Sequence, residues 1–517
     1  MKLWNHLIVI ATLTLLSCSS AWPSSIRPAA FISDLHVGAG KKADGSWREI
    51  EDFRWQADFD LFLSEVSKRS GEKLDLVLAG DIFELWQSPT MICSNAAGAP
   101  SCKVTDCMSG DKDLGCNEKD AIARLDYILK QHPDFITSLR TFATKGSNHV
   151  YLVPGNHDAA LLLPGVAALL KKQFEGTRVT LLSEGFWLSP DGLVYSDHGH
   201  QSDQVNLFEK WPVPFSTRDG VTFLRKSWGE NMAQQFYNQY EVIFPIIDNL
   251  SDEATGARYA IRQAGGGATA GAVSNFIKFI LIEESITQAS RLLGDGTVKV
   301  RYDYAAVRAK PLSFFVDGLD GKSDVQIALA NTPAAFSTSP PDFDLTQAEI
   351  DSICLAKYHR GDPNKCPEIT EVLSAIAYGA LLSPEEIKAE YLRDVLPMMR
   401  ERSKKYFSLY VAGHSHIADN PKVALSLGDL AFGNTSVDYL NTGAFQRVAS
   451  PDQLSKILGE PKHAGKRPLD LQPEDLPACY NYVWVAPYAA KPTGTLHAWA
   501  KSATGVFKTF DGQCLMR

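Results

Sequence analysis

Five short blocks of the chain carry side chains of the kinds that bind metal ions, and each block follows an apolar stretch that predicts a β-strand. In chain order the blocks contain Asp34 and His36; Gly80, Asp81 and Glu84; Gly155, Asn156, His157 and Asp158; Asp197, His198 and His200; and Gly413, His414 and His416. Carboxylate, imidazole and amide ligands in combination suit divalent cations such as Mn, Fe or Zn. Because the set exceeds what one four-coordinate ion needs, it predicts two ions.

Each block taken alone is a weak signal. The turn from Pro154 to Asp158 ends a strand, and Asn and Asp often satisfy such a turn with their own hydrogen bonds. A single histidine at a strand end is more often structural than a ligand. In open α/β sheets, however, ligands bind beyond the carboxyl ends of the strands. Five blocks at equivalent positions therefore favour one metal site over five unrelated turns.

The composition is that of an ordinary globular protein, with 45% hydrophobic and 21% charged residues. Lys and Arg number 51 against 60 Asp and Glu, so the formal net charge is −9. Nucleic-acid binding depends on an excess of basic residues that neutralise phosphates. We therefore do not expect nucleic acid as a partner.

The first residues predict export. Lys2 precedes an apolar run, 7–16, of about ten residues, which is too short to span a bilayer and typical of a signal peptide. One interpretation is ordinary cleavage of the signal peptide after residue 21. The other is a bacterial lipobox, which would make Cys18 the lipidated first residue of the mature chain. We expect a periplasmic or secreted protein, or one tethered to the outer membrane through Cys18.

The cysteines agree with an oxidising compartment. Without Cys18 eight of the nine remain, and an even number in an exported chain predicts disulfides. We expect Cys354–Cys366, Cys479–Cys514 and two bridges within the loop 93–116, where the pairing stays open. A structural zinc site in that loop is the alternative, but its spacing contains no C-x-x-C pair.

Strands and helices alternate along the first part of the chain, which predicts βαβ units. The predicted strands in this pattern are 27–33, 74–79, 149–153, 193–196 and 407–412, and the predicted helices are 50–69, 118–139, 159–174 and 385–403. Short strands are expected at 423–427, 439–441, 482–485 and 495–499. Between the fourth and fifth blocks the alternation stops.

The ordered blocks resemble the calcineurin-like metallophosphoesterase superfamily, whose blocks read D-x-H, G-D-x-x-D/E, G-N-H-D/E, H and G-H-x-H. The resemblance covers about 27–203 and 405–450. It implies an α/β fold, a four-layer α/β/β/α sandwich with a large, mainly helical insertion. The core would comprise 27–203, with the Cys-rich loop 88–118, and 405–517, and the inserted cap would be 204–404. The stretch 80–86, GDIFELW, most resembles the branch with UDP-2,3-diacylglucosamine pyrophosphatases.

The resemblance also implies a role for each residue of the site. The first metal would be held by Asp34, His36 and His416, the second by Asn156, His198 and His414, and both by Asp81. Two such ions clamp a phosphoryl group and generate hydroxide from water at neutral pH. His157 would be the catalytic group beside the leaving oxygen, and Glu84 would orient it.

Some positions depart from the superfamily pattern or stay ambiguous. Where the superfamily most often has Asp followed by Arg, this chain has Glu84 followed by Leu85. This position therefore has no Arg that could bind the substrate phosphate. Asp158 is expected to support the ligands or the turn. His200 has three readings: it supports the ligands, contacts substrate, or is a loop residue.

The leading hypothesis is an exported hydrolase that uses two divalent metal ions to cleave a small-molecule or lipid phosphoester. One alternative is a lipid-linked or nucleotide pyrophosphatase, suggested by 80–86. The other is a non-catalytic binding lipoprotein, against which the complete ligand set argues. Aromatic residues of the predicted cap either pack its own core or line an apolar pocket; they are Phe208, Trp211, Phe215, Phe223, Trp228, Phe236, Tyr237, Tyr240 and Phe244.

Overall fold

The structure is a computed structural model of the protein. It describes residues 26–94, 101–103, 106–107, 114–202, 206–208, 210–234, 238–242, 244–250, 399, 403–404, 406–419, 425–426, 436–502 and 504–516. Several predictions lie outside these residues: the signal peptide with Cys18, the Cys354–Cys366 bridge, most of the cap and nearly all of the helix at 385–403. Within them, no helix combines the length and the apolar character needed to cross a bilayer.

The described chain forms helices and strands with the following bounds. The helices are α1 Gln56–Arg69, α2 Glu118–Gln131, α3 Pro133–Thr144, α4 Pro164–Gln173, α5 Trp228–Met232, α6 Asn238–Glu241 and α7 Pro451–Leu458. The first nine strands are β1 Ala29–Ile32, β2 Asp75–Ala79, β3 Ile92–Ser94, β4 Ser101–Lys103, β5 Leu114–Asn117, β6 His149–Val153, β7 Val179–Leu181, β8 Trp187–Leu188 and β9 Val194–Ser196. The others are β10 Phe215–Arg218, β11 Val221–Arg225, β12 Leu409–Ala412, β13 Ala418–Asp419, β14 Leu425–Ser426, β15 Ser436–Thr442, β16 Cys479–Val485, β17 Gly494–Lys501 and β18 Phe507–Asp511.

Two mixed sheets form the centre of the fold. The first has the order β18-β17-β16-β1-β2-β6-β7, in which β1, β2 and β6 are parallel. The second has the order β13-β15-β12-β9-β8, with β14 beside β15, and β9, β12 and β15 are parallel. The first three blocks follow β1, β2 and β6, and the last two follow β9 and β12.

The side chains of β1 show how the layers are held together. Ala29 and Phe31 belong to a buried cluster that also contains Val194 of β9 and Leu409 of β12, so the two sheets pack face to face. The alternate residues of β1 point to the opposite face, as the two-residue period of a strand requires. They join the residues of helices α1 to α4, among them Phe59, Phe62, Leu125, Leu139 and Val166.

The outer face of the second sheet is also buried. Tyr195, Tyr410 and Tyr439 pack there with Met399 and Phe407. Helices on one sheet and a second sheet on its other face confirm the predicted α/β fold class. Of the predicted, mainly helical cap, 251–398 lies outside the described residues.

Prolines change two of the predicted helices. The helix predicted over 118–139 is divided into α2 and α3, because Pro133 has no N–H to donate and its ring clashes with the preceding turn. Pro133 instead occupies the first turn of α3. The helix predicted over 159–174 begins as the short 3₁₀ turn Ala159–Leu162, and α4 starts at Pro164. Both positions suit proline, since first-turn N–H groups have no partner within the helix.

The first described part of the predicted cap contains a β-hairpin that the sequence analysis did not predict. Strands β10 and β11 are joined at Asp219 and Gly220, which have φ angles of 51° and 77°. Positive φ at both central residues defines the tight hairpin turn that Asp-Gly favours. β11 also pairs with β5, at the end of the Cys-rich loop. The hairpin thus joins the beginning of the predicted cap to that loop.

The described cysteines support the disulfide prediction. Cys479 and Cys514 are bonded, as predicted, and tie the start of β16 to the last turn of the chain. Cys107 and Cys116 are bonded within the Cys-rich loop, which excludes both from a zinc site. In the same loop, Cys93 is opposite Cys102 in the register of β3 and β4.

We expect the double variant Cys479→Ser/Cys514→Ser to lose about 2–4 kcal/mol of unfolding free energy, because the bond closes a long loop in the unfolded chain. Urea unfolding of the mature protein measures this loss. Treating the wild type with a reductant should shift its midpoint in the same direction. An unchanged midpoint in the double variant would contradict the prediction.

Candidate metal centre

The ends of five strands bring the predicted ligands to one edge of the two packed sheets. The predicted ligands buried there are Asp34, His36, Asp81, Asn156, His198 and His416, none of which is more than 3% exposed, and His414 is partly buried. Three groups of side chains at this edge have possible ligand atoms within 4.8 Å of one another. One of them joins His157 to His36 and Asp81, and the other two correspond to the two predicted metal ions. The first ligand group is Asp34, His36 and His416, and the second ligand group is Asp81, His198 and His414.

Short distances join the ligands within each group and between the two groups. His416 Nε2 lies 3.4 Å from Asp34 Oδ1 and 3.2 Å from His36 Nε2. His198 Nε2 lies 2.9 Å from Asp81 Oδ2, and the same oxygen is 3.9 Å from His36 Nε2. Asp81 therefore lies between the groups, at the position predicted for a bridging ligand.

Asn156 supplies a further donor atom. Its Oδ1 is buried and accepts no hydrogen bond from the described residues. A buried polar atom without a partner costs about 1–3 kcal/mol, and a bound cation would remove that cost. With the carboxylates and imidazoles around it, this oxygen completes a mixed nitrogen and oxygen donor set. The residues present fit divalent metal ions of the kind predicted.

The electrostatics of the ligands also favour a bound cation. Burial would raise the pKa of both aspartates, but neighbouring imidazoles outweigh it, lowering the pKa of Asp34 to about 2 and that of Asp81 well below its usual value. Burial would lower the pKa of His198, but Asp81 and Asp34 raise it to about 9. Protonated His198 thus supplies positive charge that a metal ion would replace, and metal binding must release this proton.

Hydrogen bonds behind the ligands orient them. His198 Nδ1 donates to the carbonyl oxygen of Ala79 at 2.9 Å, which turns Nε2 towards Asp81. Asp34 accepts hydrogen bonds from the Ser33 hydroxyl and from the backbone N–H of His414. Such partners set the tautomer and direction of metal ligands.

The backbone at the ligands is in a conformation that non-glycine residues rarely adopt. Five predicted ligands have a positive φ: Asp34, His36, Asp81, His414 and His416, with values between 47° and 73°. Such residues cost of order 1–3 kcal/mol each and persist only where the surroundings hold them. The paired sheets provide that support, and the turns aim the side chains into one site.

Two glycines of the blocks are required by close approach. A Cβ at Gly80, which has a φ of 93°, would lie 2.3 Å from the ring of His198. A Cβ at Gly155 would lie 2.2 Å from Oδ1 of Asp81. Any larger residue would push the turns apart and separate Asp81 from His198.

Glu84 holds two histidines with one carboxylate. Its Oε2 accepts from Nδ1 of His36 at 3.0 Å and from Nδ1 of His157 at 2.6 Å, and its Oε1 accepts from the backbone N–H of Trp86 and Gln87. Burial would raise the pKa of Glu84, but His157 and His36 lower it to about 2. The carboxylate therefore stays charged, and the predicted contact with His157 is present despite the longer side chain.

His157 lies beside the ligands and is more exposed than most of them. Its backbone N–H donates to Asp81 Oδ1 at 2.9 Å, and 14% of its side chain is exposed. Since Nδ1 faces Glu84, Nε2 is the ring nitrogen directed away from that carboxylate.

The other polar residues of the blocks have structural surroundings. Asp158 accepts from the backbone N–H of Ile82 at 2.8 Å and of Gly155 at 2.6 Å, so it joins the turns after β2 and β6. Asp197 accepts from the hydroxyls of Tyr195 and Tyr410. His200 belongs to neither ligand group, and its ring lies 5.5 Å from that of His198 and 4.3 Å from that of Trp211.

Sequence reasoning missed three features around the site. Trp86 stacks on His157, a contact that the sequence pattern of 80–86 does not indicate. Arg124, fully buried in α2, donates to the carbonyl oxygen of Leu85 and pairs with Asp106 of the Cys-rich loop. Three buried or partly buried carboxylates also lie close together near Glu84, those of Asp52, Glu241 and Asp248.

We expect Glu84→Gln to weaken metal binding roughly 10–100-fold, because neutral Gln no longer gives His36 a charged acceptor behind the metal. Titration calorimetry with Mn²⁺ measures this change. Glu175→Gln, at an exposed glutamate, is the matched control and should bind as the wild type does. Equal affinity of Glu84→Gln and the wild type would show that Glu84 does not support the ligands.

Residues 27–242 match the family model described as calcineurin-like phosphoesterase. No curated protein and no solved structure matches the chain. The matched segment carries the first four blocks, and the fold brings His414 and His416 to the same place from beyond it. Residues 27–242 are therefore similar to a calcineurin-like phosphoesterase domain, and the protein is a metal-dependent hydrolase of phosphoester bonds.

Proposed function

We propose that the protein is an exported phosphoesterase that binds two divalent metal ions and cleaves a small-molecule or lipid phosphoester. The observation that carries this proposal is the position of Asp81 between the two ligand groups. One shared carboxylate is the arrangement that keeps two cations close in spite of their mutual repulsion. Asn156 adds a neutral oxygen, which limits the negative charge around them.

The donor set favours Mn, Fe or Zn, because imidazole and carboxylate ligands are mixed in both groups. When bound, such a pair of ions clamps the phosphoryl group, supplies hydroxide and stabilises the charge of the displacement. Six of the seven predicted ligands are almost fully buried, and His414 is partly buried.

His157 is the group that we assign to the leaving oxygen. The contact of its Nδ1 with Glu84 keeps the proton on that nitrogen, and the bond of its N–H to Asp81 places it beside the ligands. A proton on Nε2 can therefore pass to the leaving oxygen as the phosphorus–oxygen bond breaks. Glu84 stabilises the charged ring before this transfer.

Two aromatic residues of the predicted cap lie near the site and pack against the core. Phe208 and Trp211 of the predicted cap stack at 5.6 Å between ring centroids, and both rings contact that of His200. His200 in turn lies 6.5 Å from His414, between ring centroids. These two aromatic residues therefore lie beside the second ligand group. The pyrophosphatase branch suggested by 80–86 is not confirmed by the family match.

Export is supported by the disulfides. The bonds Cys107–Cys116 and Cys479–Cys514 persist in oxidising compartments and are rare in the cytosol. Together with the apolar run after Lys2, they favour a periplasmic, secreted or lipid-anchored protein. The choice between cleavage at residue 21 and lipidation of Cys18 can be read from the mass of the mature chain.

We expect Asp81→Ala to lose metal binding and nearly all turnover of p-nitrophenyl phosphate and bis-p-nitrophenyl phosphate, because both ligand groups lose their shared carboxylate. Metal content and initial rates of the folded, metal-loaded variant measure this. Asp134→Ala, at an exposed aspartate of α3, is the matched control. A wild type inactive on both esters would contradict the proposed activity, and an active Asp81→Ala would contradict the assigned site.

We expect His157→Ala to keep its metal ions but to lower turnover of phenyl phosphate about 10²–10⁴-fold, the usual contribution of a positioned proton donor. Steady-state rates and metal analysis of the same preparation separate the two effects. If the variant loses its metal instead, His157 is a ligand and not the proton donor.

A further inference from the structure

Trp86 covers one face of His157. The indole and imidazole rings are stacked with centroids 3.7 Å apart and an interplanar angle of 22°. Trp86 is only 4% exposed, so its ring is held by the surrounding residues and is not a mobile surface side chain. On the same imidazole, His36 makes an edge-on contact at 4.5 Å.

Several contacts hold Trp86 in this position. Its backbone N–H donates to Glu84 Oε1 at 2.8 Å, and its carbonyl oxygen accepts from Gln234 at 3.1 Å. The far edge of the indole lies against Gly229, since a Cβ there would be 3.4 Å from the ring. The carbonyl oxygen of the preceding residue, Leu85, accepts from buried Arg124.

Glu84 and Trp86 restrain His157 in different ways. The carboxylate fixes one atom of the ring, Nδ1, but a ring held at one atom can still tilt about that contact. The stacked indole opposes this tilt because it occupies the space into which the ring would move. Glu84 and Trp86 belong to one short segment of the chain. The Glu84 carboxylate also accepts a hydrogen bond from the backbone N–H of Trp86.

We propose that Trp86 is a positioning residue for the leaving-group step, holding the plane of His157 so that Nε2 points at the leaving oxygen. This inference rests on the proposed function. It does not make Trp86 a catalytic residue, since the indole touches the histidine and not the reacting atoms.

The proposal has a consequence that a purely structural role lacks. A poor leaving group such as phenolate needs the proton from His157, whereas p-nitrophenolate leaves readily without one. A displacement of about 1 Å in a catalytic group can cost on the order of 10²-fold in rate. Loss of Trp86 should therefore affect phenyl phosphate much more than p-nitrophenyl phosphate.

The test compares Trp86→Leu and Trp86→Phe in the metal-loaded, full mature chain. We expect Trp86→Leu to lower kcat for phenyl phosphate on the order of 10²-fold, with KM and the rate on p-nitrophenyl phosphate nearly unchanged. Trp86→Phe keeps a ring for stacking and should recover most of the loss. Trp47→Leu is the control, because Trp47 stacks on His132 and not on a predicted site residue.

Two further measurements decide the outcome. In a His157→Ala background, Trp86→Leu should cause no additional loss on phenyl phosphate. Equal losses on both esters, or a further loss in that background, would overturn the proposal. A crystal structure of Trp86→Leu gives a readout that needs no activity: we expect the His157 ring to be displaced or in two orientations. If the His157 ring keeps its wild-type position against Glu84 in this variant, the inference is wrong, whether or not the wild type is active.

Discussion

The structure depends on two buried carboxylates, Asp34 and Asp81, held close to each other at the edge of two packed sheets. Two negative charges away from water are costly unless positive charge or hydrogen bonds compensate them. Here His198 and the backbone N–H groups of His414 and His157 supply part of that compensation. Bound cations would take over the role of the protonated His198, so the fold concentrates negative charge where divalent ions would bind.

That requirement explains why the ligands come from both sheets. A single sheet presents its strand ends along one line, whereas two sheets face to face can surround an ion. Asp34, Asp81 and Asn156 come from the first sheet, and His198 and His414 from the second. The positive φ angles turn the side chains inwards, and the cost of that conformation is borne by the hydrophobic packing between the sheets.

That the predicted ligands lie close together could be inferred from the sequence more readily than the packing around them, for physical reasons. An apolar strand that ends in polar ligands is a local pattern in the sequence. The strand ends lie at one edge of the sheet because the strands pair in parallel. The division of the helix at Pro133 and the Asp219–Gly220 hairpin were also locally encoded, and both were overlooked. In contrast, the stack of Trp86 on His157 depends on how a loop after β2 meets a turn after β6, which no local pattern specifies. The spacing of the ligands along the sequence likewise does not indicate that five of them have a positive φ angle.

The central claim is that Asp81 lies between two cations. Anomalous diffraction at the manganese edge from crystals soaked in Mn²⁺ tests it most directly. We expect two peaks, one at the first ligand group and one beside Asn156 and His198, each within coordination distance of an Asp81 oxygen. A single peak, or two peaks of which neither touches Asp81, would contradict it.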